Sequence, residues 1–298
     1  MPRSPELFAQ ANGLQLCYQT FGRPSDPPML LIMGMGAQMV GWDDEFCEAL
    51  ALRGFWVVRF DNRDAGRSTR LDSAGVPNVT LAMTRAWLRR PVAAPYLLRD
   101  MARDVTGLMD ALGIAKAHLV GASMGGTIAQ TLAIAEPARV RTMTSIMSTT
   151  GAPDLPAPQY GAMSAIFKPA PSSLDGYTAH YIQTWKQLRV GLFEEEEARD
   201  RARALRNHTR GLHPAGGARQ LVAILASGSR REALRNVTVP TLVIHGDVDP
   251  LVPLAAGRDT AASIPGAELM VLPGMGHTLP LRMWPRILDG ITRLAQRA

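Results

Sequence analysis

The 298-residue chain is 46% hydrophobic, which is enough to bury a substantial core in one domain with an insertion. It has no run of about 18 uncharged apolar residues and no basic-then-apolar N-terminus, so we expect a cytoplasmic protein without a membrane span or signal peptide. Its formal net charge is +6, but basic and acidic residues are interleaved, as over 194–206. This pattern predicts a solvated helix face rather than a nucleic-acid site.

Short apolar runs alternate with helical patterns along most of the chain. Residues 7–21 alternate in polarity around Asn12 and Gly13, a strong hairpin signal, and predict two antiparallel strands. Further strands are predicted at 29–33, 55–60, 117–120, 141–147, 241–244 and 268–272. Helices are predicted at 42–52, 96–112, 124–135 and 283–298. This alternation predicts an α/β fold with a doubly wound, mostly parallel, eight-stranded sheet.

The alternation lapses between residues 148 and 236. Five prolines between 153 and 171 predict a loop, whereas the patterns over 177–192 and 194–208 are helical. We therefore expect a helical lid over 148–236, inserted after the sixth strand, and a core that comprises 1–147 and 237–298.

One serine stands between glycines where a predicted strand meets a predicted helix. The stretch 121–125, Gly-Ala-Ser-Met-Gly, has the spacing of a nucleophile elbow, a turn too tight for side chains at the glycine positions. The spacing alone is a weak signal, and the context strengthens it. We predict that Ser123 is a nucleophile.

A nucleophilic serine needs a histidine to carry its proton and a carboxylate to hold the imidazole in the right tautomer. His277 follows the last predicted strand in a glycine-rich loop, and the loop after 241–244 offers Asp247 and Asp249. We predict Asp249, because Pro250 biases it to an extended backbone, and interpret Asp247 as a turn former. All three loops follow strand carboxyl ends, where doubly wound sheets hold their sites.

Two backbone N–H groups are needed to stabilise the negative charge that develops on a substrate carbonyl oxygen. Met124 directly follows the predicted nucleophile, and Met35 lies in Met-Gly-Met-Gly at 33–36, after the third predicted strand. We predict that their amides form the oxyanion hole.

Apolar side chains of the predicted lid are candidates for a substrate pocket, and packing of the lid on the core is the alternative role. A pocket lined by them is hydrophobic and uncharged. The candidate pocket residues of the predicted lid are Tyr160, Met163, Phe167, Tyr181 and Trp185, and those outside it are Gly34 and Trp87.

The other histidines and the two cysteines predict neither a metal nor a cofactor. His118 and His245 lie on predicted strands and are interpreted as structural. Cys17 and Cys47 are expected to be buried, reduced thiols. The remaining histidines, which lack the spacing of metal ligands, are His180, His208 and His213.

The sequence resembles the α/β-hydrolase superfamily and, within it, the group typified by aclacinomycin methylesterase. The resemblance rests on motifs at 33–34, 41–42, 44–46, 59–68, 121–125, 240–244 and 273–280, and leaves the predicted lid largely unmatched. It implies triad positions for Ser123, Asp249 and His277, and the family's nucleophile-acid-base order agrees. Asp64 stands where many relatives have glycine, a difference that concerns loop structure.

We therefore predict a cofactor-free serine carboxylesterase that acts on small to medium, uncharged esters through an acyl-enzyme. The alternatives within the fold are a lipase or polyester hydrolase, a hydrolase of carbon-carbon bonds, a peptidase and a perhydrolase. A non-catalytic ligand-binding homologue is the alternative from another class. The sequence favours neither a monomer nor a homodimer.

Overall fold

An eight-stranded sheet runs through the molecule, which is described here from a computed structural model covering residues 2–297. Its strands are β1 (Leu7–Ala11), β2 (Leu14–Phe21), β3 (Pro28–Ile32), β4 (Trp56–Phe60), β5 (Ala117–Ala122), β6 (Val140–Ile146), β7 (Thr241–Gly246) and β8 (Glu268–Leu272). Their spatial order is β1-β2-β4-β3-β5-β6-β7-β8. The first two pairings, β1 with β2 and β2 with β4, are antiparallel, and all the others are parallel. The predicted doubly wound sheet is confirmed.

The predicted hairpin is also confirmed. Asn12 and Gly13 connect β1 to β2, and both have left-handed φ angles, of 50° and 77°. Two consecutive left-handed residues are what a two-residue hairpin turn requires, because its twist then matches that of the strands.

Eleven α-helices are described within residues 2–297. They are α1 (Asp44–Leu52), α2 (Val79–Trp87), α3 (Leu98–Ala111), α4 (Met124–Ala135), α5 (Tyr160–Phe167), α6 (Leu174–Leu188), α7 (Glu197–Arg210), α8 (Pro214–Ser227), α9 (Arg231–Leu234), α10 (Leu254–Ser263) and α11 (Trp284–Ala295). Among them, none has the length and apolarity that crossing a membrane requires.

Several helix predictions need correction. Helices α5, α8, α9 and α10 were not predicted, and α5 lies within the stretch 153–171 that was predicted as a loop. The helix predicted over 177–192 ends at Leu188, because Val190 and Gly191 adopt left-handed φ angles that turn the chain. The terminal helix, predicted over 283–298, ends at Ala295. Residues 1 and 298, the two ends of the predicted core, lie outside the described residues.

The two faces of the central strands bury two separate hydrophobic clusters. Leu30 and Ile32 of β3 point into a cluster with α3 and α4, whereas Leu31 and Met29 point into one with α1 and α11. This burial on both faces explains why the parallel strands are almost continuously apolar. Ala223 of α8 and Leu234 of α9 belong to the first cluster, so the end of the 148–236 insertion packs into the main core.

The prediction of a solvated basic face within 194–206 is wrong for one side of α7. Arg203 donates to Asp43 over 2.9 Å, and Arg206 donates to Asp44 over 2.9 Å. These carboxylates lie at the start of α1, some 160 residues earlier in the chain, so the local sequence did not reveal them. The basic side of α7 is an interface that joins the insertion to the rest of the fold.

Candidate active site

The turn between β5 and α4 holds Ser123 in a backbone conformation that the surrounding packing enforces. Ser123 has φ 55° and ψ −120°, an uncommon conformation for a residue with a side chain. A Cβ added to Gly121 would lie 2.2 Å from the carbonyl oxygen of Gly125, and one added to Gly125 would lie 2.0 Å from that of Ile32. Both positions therefore exclude any larger residue, and the predicted elbow geometry is present.

Ser123, His277 and Asp249 form one hydrogen-bonded chain. His277 Nε2 lies 3.0 Å from Ser123 Oγ, and His277 Nδ1 lies 2.8 Å from Asp249 Oδ2. His277 and Asp249 are only 5% and 4% exposed. A carboxylate at Nδ1 holds the proton there, which leaves Nε2 as the acceptor that faces the serine hydroxyl.

The structure distinguishes the two aspartates that follow β7. Asp249 Oδ1 accepts the backbone N–H groups of Leu251 and Val252, over 2.9 and 2.8 Å, which leaves Oδ2 directed at His277. Asp247 instead accepts the backbone N–H of Gly274 over 2.7 Å. It braces the loop that carries His277 and has no contact with the imidazole.

The histidine loop also contacts the insertion. The backbone N–H of His277 donates to the carbonyl oxygen of Leu188, at the end of α6, over 2.9 Å. A Cβ on Gly276 would lie 2.1 Å from the same oxygen, so glycine is required for this close approach. The end of α6 and the histidine loop thus hold each other in register.

The loop after β3 lies against the serine. A Cβ added to Gly34 would lie 3.2 Å from Ser123 Cβ. The next backbone N–H, that of Met35, has no acceptor within residues 2–297, and the N–H of Met124 begins α4, where helical amides lack partners. Both predicted oxyanion donors thus belong to segments that border Ser123.

Asn62, which was not predicted as a site residue, supports this loop. Its side chain is 2% exposed, and its Nδ2 donates to the carbonyl oxygen of Met33 over 2.9 Å. The available signal was a polar residue directly after the buried strand β4, although its partner could not be read from the sequence.

The candidate pocket residues do not all gather at the serine. Trp87 and Tyr160 are 81% and 88% exposed, so neither ring forms a buried wall over Ser123, and these two predictions need correction. Tyr160 borders a cavity of about 480 Å³ between α5 and α6, away from the serine. Met163 is half-buried and Phe167 is 37% exposed on α5. Tyr181 and Trp185 are half-buried on α6, with ring centroids 5.5 Å apart.

His118 and His245 have the structural roles predicted for them. His118 contacts Thr142 Oγ1 over 2.9 Å, and burial, reinforced by nearby Arg141, lowers its pKa to about 4. His245 is fully buried, its Nε2 lies 2.7 Å from the carbonyl oxygen of Val252, and burial lowers its pKa. Both rings are therefore neutral at neutral pH.

Asp64 occupies the left-handed position in the turn after β4, with φ 65°. Arg219 of α8 donates to its two carboxylate oxygens over 2.7 and 2.9 Å, and Tyr96 donates over 2.8 Å. Burial acts to raise the pKa of Asp64, but these donors outweigh it and the pKa is lowered. The aspartate at this position, where many relatives have glycine, therefore anchors the insertion through Arg219.

Comparisons with known proteins agree with the fold. The family described as "alpha/beta hydrolase fold" matches residues 27–281. Rhodomycin D methylesterases from Streptomyces peucetius and Streptomyces sp. (strain C5) are 32% and 30% identical, each over 93% of both chains. The solved structure of a meta-cleavage product hydrolase from Pseudomonas fluorescens IP01 superposes with a TM-score of 0.73 at 21% identity, over 98% of this chain and 97% of the other.

Proposed function

The chain belongs to the α/β-hydrolase fold family and is a serine carboxylesterase, and on that premise we propose that its physiological reaction is the hydrolysis of a methyl ester. The observation that carries the chemistry is the hydrogen-bonded chain from the partly buried Ser123 through the buried His277 to the buried Asp249. The methyl group is suggested by the two methylesterases to which the chain is similar along nearly its whole length.

The proposed reaction begins when His277 Nε2 takes the proton of Ser123 Oγ, which attacks the ester carbonyl carbon. The backbone N–H groups of Met35 and Met124 stabilise the resulting oxyanion. His277 then gives its proton to the departing alkoxide, and methanol leaves. Water, deprotonated by the same imidazole, attacks the acyl-enzyme and releases the carboxylic acid and Ser123. Asp249 holds the imidazolium in place during both steps.

The 148–236 insertion is proposed to be the lid over this site. Leu188, at the end of α6, contacts the His277 backbone, and Trp185 lies one turn before it. We assign the acyl pocket to Gly34 beside Ser123, with Met163, Tyr181 and Trp185 as its apolar wall. Such a wall selects an uncharged acid moiety, since it offers no partner to a buried charge.

A cytoplasmic location is part of the proposal. Cys17 and Cys47 are free and buried, as is usual in a reducing compartment. The substrate partner is a small-molecule ester. Cell fractionation with detection of the tagged protein would test the location.

The test of the function replaces the nucleophile. Ser123→Ala is expected to lower kcat for a methyl ester of an aromatic acid by about 10⁴-fold or more, as removal of a triad serine does. Ser263→Ala is the control for a serine hydroxyl outside the site, because Ser263 is buried and donates to the carbonyl oxygen of Asp259 within α10. An unchanged rate in Ser123→Ala would refute the serine mechanism. Equal kcat/KM for methyl, butyl and hexyl esters would refute the assignment of a methyl ester.

A further inference from the structure

A glutamine from the insertion is hydrogen-bonded to the loop that carries one proposed oxyanion donor. Gln220 of α8 is fully buried. Its Oε1 accepts the backbone N–H of Gly36 over 2.7 Å, and its Nε2 donates to the carbonyl oxygen of Arg63 over 2.7 Å. We propose that Gln220 is a positioning residue for the oxyanion hole, so that the insertion takes part in transition-state stabilisation. This inference rests on the proposed function.

The backbone of α8 approaches the same loop closely. A Cβ on Gly217 would lie 3.8 Å from the Cα of Gly36, and one on Gly216 would lie 2.0 Å from the carbonyl oxygen of Asp64. The first turn of α8 therefore packs against both the oxyanion loop and the turn after β4. At Gly216 this approach excludes any side chain.

Neighbouring contacts prevent the helix from shifting. Arg219, next to Gln220 in the chain, is 1% exposed and is held by both oxygens of Asp64. The Oε1 and Nε2 atoms of Gln220 are both hydrogen-bonded, so the orientation of its amide is determined. The position of the Gly36 backbone therefore depends on the position of α8.

The oxyanion loop is thus held at both ends by buried amides. Asn62 binds the carbonyl oxygen of Met33 from the core side, and Gln220 binds the N–H of Gly36 from the insertion side. Between these two anchors lies the Met35 N–H, which has no acceptor within the described chain. The anchors keep the Met35 donor pointed at one place, which matters because a misplaced donor stabilises the transition state poorly.

The kinetic consequence follows from when the oxyanion forms. The negative charge develops in the transition state and is complete in the tetrahedral intermediate, and the bound substrate lacks it, so a displaced donor lowers kcat and leaves KM nearly unchanged. Loss of an ordinary packing residue instead lowers stability without this selective effect on kcat.

The test compares two buried glutamines. Gln220→Leu is expected to lower kcat by about 10- to 100-fold, with KM within about threefold. Its affinity for a boronic acid, which mimics the tetrahedral state, should fall by a similar factor, while affinity for the carboxylic acid product stays unchanged. The control is Gln130→Leu, since Gln130 is also fully buried and bonds to Ser145 and Arg230, away from the loop. It should keep kcat within about twofold.

Two conservative variants make the test independent of folding defects. Gln220→Asn stays polar but is too short to bridge Gly36 and Arg63, and should lose kcat like the leucine variant. Gln220→Glu keeps an acceptor for the Gly36 N–H and should recover several-fold of the lost kcat.

The outcomes separate this inference from the proposed function. Gln220 variants with wild-type kcat, or a kcat loss that Gln130→Leu shares, would overturn the positioning role while the esterase remains active. A wild-type protein without esterase activity, or an active Ser123→Ala variant, would instead overturn the proposed function.

Discussion

The nucleophile elbow and the 148–236 insertion meet at the same site but are held there by different forces. The elbow depends on backbone contacts, which leave no room for a Cβ at Gly121 or Gly125. The insertion depends on polar side chains that cross between distant segments, as Arg219 does to Asp64 and Gln220 does to Gly36. The comparison teaches that steric requirements leave a local mark in the sequence, whereas charged and amide bridges do not.

The ion pairs of the insertion differ in burial, and we expect them to differ in energy. The side chain of Arg219 is 1% exposed and that of its partner Asp64 is fully buried, whereas those of Arg201 and Glu197 are 64% and 54% exposed. Breaking a buried pair leaves a charge without solvent or partner, whereas water replaces an exposed partner readily.

The largest expected effect concerns the acid beside the elbow. Asp249→Asn should lower kcat by about 10⁴-fold, because an amide donating to His277 favours the wrong tautomer. Asp247→Asn is the matched control and should change kcat by less than about tenfold, because the amide oxygen still accepts from Gly274. Steady-state kinetics at neutral pH measure both. Similar losses in the two variants would contradict the assignment of Asp249.

The next effect tests the buried anchor of the insertion. Asp64→Ala should lower the free energy of unfolding by about 3–5 kcal/mol, because it leaves Arg219 buried without its partner. Asp72 also contacts Arg219, over 3.1 Å, but its side chain is 65% exposed. Asp72→Ala should therefore cost under about 1 kcal/mol. Urea denaturation compares the two variants, and equal losses would mean that burial does not set the strength of this anchor.

Acid should weaken the core through His118. Burial lowers the pKa of His118 to about 4 in the folded state, against 6.5 in the unfolded chain. As the pH falls, the unfolded chain therefore takes up the proton first. The stability is fully present above pH 6.5 and falls toward pH 4, by about 3 kcal/mol from this residue. His118→Gln should flatten that part of the stability profile, measured by denaturation at several pH values. An unchanged slope would exclude His118 as its source.

The lowered pKa values of Asp43 and Asp64 separate the insertion from the core in the same experiment. Burial acts to raise both pKa values, but the arginines Arg203 and Arg219 outweigh it. Their stabilising effect is present above the unfolded value of 3.8 and is lost as the pH falls below it. The contacts of Asp43 and Asp64 are therefore expected to persist through the range in which His118 titrates.

The smallest effect belongs to the exposed side of α7. Arg201→Ala should change the free energy of unfolding by less than about 0.5 kcal/mol, since its pair with Glu197 lies in water. High salt should have no further effect on that variant. A loss comparable with that of Asp64→Ala would remove the distinction between exposed and buried pairs.

Much of the site could be predicted because its parts obey local rules. The strands show as apolar runs, the hairpin as Asn12-Gly13, and the elbow as glycines around Ser123. His277 and Asp249 could be selected because each follows the end of a strand, and parallel strands bring their carboxyl ends to one edge of the sheet.

Other expectations failed where solvent exposure or a distant partner decides. Trp87 and Tyr160 were predicted as pocket residues from their apolar character, yet both are mostly exposed to water. The basic residues of α7 looked solvated because their acidic partners lie far away in the chain.

The sequence by itself thus determined the sheet, the elbow and the order of the serine, aspartate and histidine. The tertiary structure alone decided which side chains join the insertion to the rest of the fold. The physical reason is what each interaction requires of its own position. A backbone approach too close for a Cβ requires glycine, so Gly121 and Gly125 show it in the sequence even though Gly125 meets the distant Ile32. Arg219 reaches Asp64 across 155 residues and Gln220 reaches Gly36 across 184, and neither side chain indicates its partner. Only folding brings such partners into hydrogen-bond distance.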